Sequence, residues 1–118
     1  LMVEPGKTPR SEQIPEDLDS MQKVVGGLLQ VLYPFEEPVA LVCNDEGKLL
    51  GLPVNRGLWT EDGRLYDIVC GTFFLCGAPP DREHFESLTA EQLEHFQTRF
   101  RRPEVFLNLG GEIFCLPI

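Results

Sequence analysis

This chain has little of what enzymes usually show in their sequences. Its four cysteines, Cys43, Cys70, Cys76 and Cys115, have no C-x-x-C spacing, and its two histidines, His84 and His95, lie on a different stretch from most of them. That spacing does not suit a zinc site, and neither a metal nor another cofactor is expected. There is no G-x-S-x-G, no G-x-x-x-x-G-K-[ST], no H-E-x-x-H and no dinucleotide fingerprint, so no catalytic residue is assigned. Basic residues are scarce as well. Ten Lys and Arg against 19 Asp and Glu give a formal charge of -9, which repels phosphate backbones, and direct nucleic-acid binding is not expected. No apolar run approaches the roughly 20 residues that a membrane helix needs. The opening "LMVEPGKTPR" has neither the basic start nor the apolar stretch of a signal peptide. The expectation is a cytoplasmic protein without membrane association. Each cysteine sits in an apolar, strand-like run, where a free thiol behaves as a small buried hydrophobe, as suits a reducing compartment.

What is present reads as architecture. A chain of 118 residues fits one domain, 1–118, with a single hydrophobic core. "LMVE" predicts a first strand, with "PGKTP" turning into a short return "RSEQI". Leu18, Met21, Val24 and Val25 fall at helical spacing over 17–25, Asp17 can cap the amino end, and Gly26 can take the left-handed terminating position. "LLQVLY" is β-compatible. "VALVC-NDEG-KLLGL" predicts a hairpin with Gly47 as a left-handed bulge residue after a type I turn. "LW-TEDG-RLYDI" predicts a second, with Gly63 in that role. "RLYDIVCGTFFLCG" is a long strand with a bulge or bend at Gly71. Beyond Gly71 both of its faces are apolar, which predicts cover on both sides. "LTAEQLEHFQTRF" states a helix start, with Thr89 as cap, Gln92 three residues on, and Leu88 and Leu93 as a hydrophobic staple. Its buried stripe is Leu93, Phe96 and Phe100, and Arg99, Arg101 and Arg102 complement its dipole. "EVFLNLGGEIFCLPI" closes the chain as a hairpin about Gly110 and Gly111. The fold class expected is α+β: a curved, mostly antiparallel sheet, with a central meander of hairpins, packed with two helices.

Four of these patterns also carry a resemblance. "VEPG" near the start, "VGG" closing the first helix, "VCNDEGKLLGLPVNR" and "DIVCGTFFLCG" resemble a bacterial and phage family of uncharacterised proteins, domain of unknown function 3846. Residues 1–102 form the family-like core, and 103–118 a C-terminal hairpin extension that departs from the pattern. The resemblance implies an accessory or counter-defence role in phages and conjugative elements rather than core metabolism.

The candidate site begins where Pro53 stops the apolar run of "GKLLGLPVNR". There Asn55, with its amide, and Arg56, with its planar fork, suit an anionic or amide-bearing ligand, and Trp59 and Tyr66 offer a stacking surface. Asp67, a carboxylate within a strand, has Arg56 or Arg64 as its natural partner. The alternative for Asn55 and Arg56 is a local backbone bond and that ion pair. The leading functional expectation is a small accessory protein acting as a non-catalytic binding or regulatory module for a protein partner or a small polar ligand. Two others stand beside it: an acidic DNA mimic that inhibits a nucleic-acid enzyme, and an enzyme using a buried cysteine or Asp67.

Overall fold

The computed structural model describes residues 1–117. Strands β1 (Met2–Val3), β2 (Leu29–Leu32), β3 (Val39–Asn44) and β6 (Phe73–Gly77) form one antiparallel sheet in the order β1-β6-β3-β2. Strands β4 (Val54–Trp59) and β5 (Leu65–Cys70) form a second, two-stranded sheet, and β7 (Glu104–Leu109) and β8 (Glu112–Pro117) a third. With helices α1 (Leu18–Val25) and α2 (Ala90–Arg99), this is an α+β fold built on antiparallel sheets. Among the described residues, no helix is long and apolar enough to cross a membrane.

The period-2 alternation of β3 and β6 places two cores on the two faces of the main sheet. Val39, Leu41, Cys43, Phe73 and Leu75 share one cluster with Leu58 and Val69 of the β4–β5 hairpin and with Phe96 and Phe100 beside α2. Val42 and Phe74 turn the other way, toward Val25, Met21 and Val24 of α1. All six residues of β3 are buried, so the sheet is covered on both sides, as the apolar faces beyond Gly71 require. Both helices end as their sequences dictate. The Asp17 side chain accepts the Ser20 amide and Gly26 closes α1 at φ +81°. Thr89 and Gln92 bond each other's backbone in a capping box that starts α2.

The meander is only half present. The second hairpin forms as expected, with the Gly63 amide bonded to the Thr60 carbonyl and Gly63 at φ +84°. The first does not form. Asn44 ends β3, its Oδ1 accepts the Glu46 amide, and the chain winds into a helical turn instead of a returning strand. That turn closes when the Leu52 amide bonds the Gly47 carbonyl and the Gly51 amide that of Lys48, with Gly51 at φ +68°. The left-handed glycine is therefore Gly51, four residues later than the type I turn predicts. β3 pairs instead with β2 and β6. At the amino end, the return strand after "PGKTP" reduces to one bridge between Met2 and Arg10.

The bend at Gly71 is real and constrained. Gly71 lies at φ +83°, and a Cβ there would come within 2.8 Å of Leu52 Cδ1. The expected effect of Gly71→Ala is a loss of about 1–3 kcal/mol, read as a lower urea midpoint with an unchanged m-value; an unaltered midpoint would contradict this account of the bend.

Candidate functional site

Asn55 and Arg56 do not form a polar strand exit. They lie inside β4, where the register passes from Val54 opposite Cys70 directly to Arg56 opposite Val69. Asn55 is thus the extra residue of a β-bulge, and a bulge turns two consecutive side chains toward the same side. Both are 0% exposed. The Asn55 amide donates to the carbonyls of Val3 and Gly71, each at 2.9 Å. Its Oδ1 accepts from Arg56 Nη1 at 2.8 Å.

The guanidinium uses every donor it has on an oxygen of the fold. Nε and Nη2 both reach the Phe100 carbonyl, at 3.2 and 3.0 Å, Nη2 also reaches Lys7 O at 2.6 Å, and Nη1 also takes Asn55 O at 3.2 Å. Burial pulls the Arg56 pKa below its ordinary value, and the charge of Glu104 opposes that shift. Arg56 meets the carboxyl end of α2 directly, where the unsatisfied carbonyls carry the negative end of the dipole. The sequence places this role on Arg99, Arg101 and Arg102; in the structure Arg99 reaches the Trp59 carbonyl at 3.3 Å and lies over the Phe35 ring.

The other candidate residues fall elsewhere. Trp59 is half-buried, and its indole Nε1 lies 3.1 Å from where a Gly57 Cβ would stand. Tyr66 is 50% exposed at a second register shift, where Trp59 faces Leu65 and Leu58 faces Asp67. Asp67 pairs with neither arginine. Its Oδ1 accepts Lys48 Nζ at 2.6 Å and the Ile68 amide at 2.8 Å, while Arg64 pairs with Asp62. The reason is the failed first hairpin: the helical turn after β3 carries Lys48 over β5, whereas Arg56 is turned inward by the bulge. The turn packs so closely that a Cβ on Gly47 would lie 2.8 Å from the Cys70 carbonyl oxygen.

Lys48 and Asp67 line a concavity of about 420 Å³, with Gln30, Leu32, Cys43 and Cys70 on its walls. Of the five candidate binding residues, Asp67 alone is on its lining. Lys48 is the residue sequence reasoning missed, because "KLLGL" alternates like a strand. The Lys48 pKa is raised by its bond to Asp67. Burial pushes the Cys43 thiol up to about 11 and raises that of Cys70, and Cys43 donates to Gln30 Oε1 at 3.8 Å.

The thiols elsewhere are held protonated in the same way. Cys76 is pushed up to about 11 by burial, and Cys115 to about 12 by burial and its bond to Glu104. His84 and His95 face Glu86 and Glu37, each at 3.8 Å. Among the described residues, no three His, Cys, Asp or Glu side chains are grouped to hold a metal ion.

Two measurements follow from this chemistry. Arg56→Met strands the oxygens that the guanidinium satisfies and is expected to cost about 3–5 kcal/mol of stability, measured by urea unfolding; a cost under about 1 kcal/mol, the worth of an exposed ion pair, would show the cluster to be dispensable. At pH 7.5, Cys43, Cys76 and Cys115 of the folded protein should alkylate with iodoacetamide roughly two orders of magnitude more slowly than free cysteine. Rapid labelling of any of these three, located by peptide mass, would restore a nucleophilic role for that thiol.

No curated protein and no solved structure matches the chain. The model of one family, described as a domain of unknown function (DUF3846), matches residues 1–101. The matched segment runs from β1 to just past α2, so it contains the Asn55–Arg56 cluster and the Lys48–Asp67 concavity and stops short of the β7–β8 hairpin. The chain belongs to the DUF3846 family.

Proposed function

We propose that this chain is a non-catalytic binding module that takes a small polar ligand in the concavity between the turn after β3 and strand β5. The observation that carries the reading is the pairing of Lys48 with Asp67 on the lining of that concavity. An ammonium has three donors, of which Asp67 takes one, and the carboxylate has a second oxygen that the Lys48 and Ile68 bonds do not use. Gln30 adds an amide, and Leu32 an apolar wall. A ligand bearing both charges, or a carboxylate and an amide, matches those groups. The raised thiol pKa values support binding over nucleophilic catalysis at this place. The accessory role in phages or conjugative elements implied by the family resemblance is consistent with a binding module of this kind.

Buried Asn55 and Arg56 hold the walls in this reading and do not touch the ligand. A thermal-shift screen of free amino acids, dicarboxylates and primary amides tests it. A ligand at about one hundred times its Kd adds roughly 2.7 kcal/mol, so a hit should raise Tm by several degrees in the parent chain. The shift should be at least halved in Lys48→Ala and Asp67→Ala. A screen without hits, or hits that both variants retain in full, would remove the proposal.

A further inference from the structure

The β7–β8 hairpin presents a feature that the concavity does not explain. Its register sets Val105 opposite Leu116, Leu107 opposite Phe114 and Leu109 opposite Glu112. Residues that pair directly share a face, and alternate residues do too. Val105, Leu107, Leu109, Phe114 and Leu116 therefore lie on one face, and each is between 40% and 60% exposed. The opposite face carries half-buried Phe106 and Cys115. Glu104 also lies there and ties the hairpin to β4, its Oε2 accepting the Gly57 amide at 2.9 Å and the Cys115 thiol. A two-stranded hairpin is marginal in water by itself. This one is anchored on one face and bare on the other.

We propose that the bare face is a self-association surface, packed in solution against the same face of a second copy. The area of this face and its lack of central charge suit that occupant. The chain carries -9, so two copies repel across most approaches. This face has a single charged residue, Glu112, placed at its turn end. Two copies can meet there without burying opposed carboxylates at the centre. A row of aliphatic and aromatic side chains can pack on the same row of a second copy about a two-fold axis, with Leu107 and Phe114 at the middle. Their exposed fractions leave on the order of 400 Å² of apolar surface per copy, at the size where a patch marks an interaction site. Two such faces contribute about 800 Å² of apolar surface, and at the roughly 60–65% apolar share of interfaces the total is about 1,200–1,300 Å², the small end of specific interfaces. Interfaces of that size are weak and transient, and a dimer that forms only at high concentration is the expected consequence.

Sedimentation equilibrium of the full chain between about 1 and 300 µM reaches such concentrations. The mass should rise from 13.3 kDa toward twice that value. The double variant Leu107→Thr with Phe114→Thr keeps β-forming residues in both strands, and should weaken association at least tenfold. Leu28→Thr, which alters an exposed leucine outside the hairpin, should associate as the parent chain does. A parent chain that stays at monomer mass throughout overturns the proposal, as does a double variant that dimerises undiminished. If the double variant loses its folded circular-dichroism spectrum, amide NMR of the parent chain on dilution decides. Shifts concentrated in 104–117 support the dimer, and shifts elsewhere or none overturn it.

Discussion

One buried cation holds separate parts of this fold together. The Arg56 guanidinium sits fully inside the protein, and its five N–H donors end on oxygens from β4 itself, from the loop after β1 and from the end of α2. An isolated buried charge is costly, and the arrangement is tolerable because each donor meets an oxygen of the fold. Asn55 extends the same network to β1 and to the bend at Gly71. The two side chains thus do for the segments around the second sheet what ladder hydrogen bonds do within a sheet. Both are wholly buried, and their N–H donors are all taken by oxygens of the fold.

Much of the architecture could be read from local chemistry because each signal acts over a few residues. Asp17 and Gly26 bound α1, Thr89 and Gln92 start α2, and Gly63 and Gly71 take the left-handed conformations their turns require. Where the reading went wrong, two local solutions competed. "NDEGKLLG" satisfies a hairpin turn at Gly47 and equally a helical turn closed at Gly51. The choice falls to contacts distant in sequence: Asn44 Nδ2 bonding the Val25 carbonyl, and β6 taking the place beside β3 that the returning strand would have filled. Leu49 and Leu50, read as strand residues, are left on the surface.

The candidate site was legible only in part for the same reason. That Asn55 and Arg56 matter is visible from their position after Pro53, but their inward direction depends on a bulge that no local motif announces. Asp67 was recognisable as a strand carboxylate seeking a cation. Its partner Lys48 is not visible from spacing, since 19 residues separate them and the helical turn that brings them together competes with a hairpin turn in the same stretch. Five apolar residues in β7 and β8 looked like ordinary strand alternation. Their exposure follows from the hairpin standing in its own two-stranded sheet, a tertiary fact.

The order β1-β6-β3-β2 has a kinetic side. β3 and β6 are neighbours in the sheet, yet the whole β4–β5 hairpin is threaded between them in the chain. Closing a loop of about 30 residues loses entropy before any contact rewards it. A hairpin that forms locally within that loop shortens the span still to be closed, and its bulged strand carries Asn55, which bonds β1, and Arg56, which bonds the loop after β1 and the end of α2. The small sheet is in this sense the clasp on which the larger one is zipped, and a non-local pairing of the main sheet is prepared by a local hairpin.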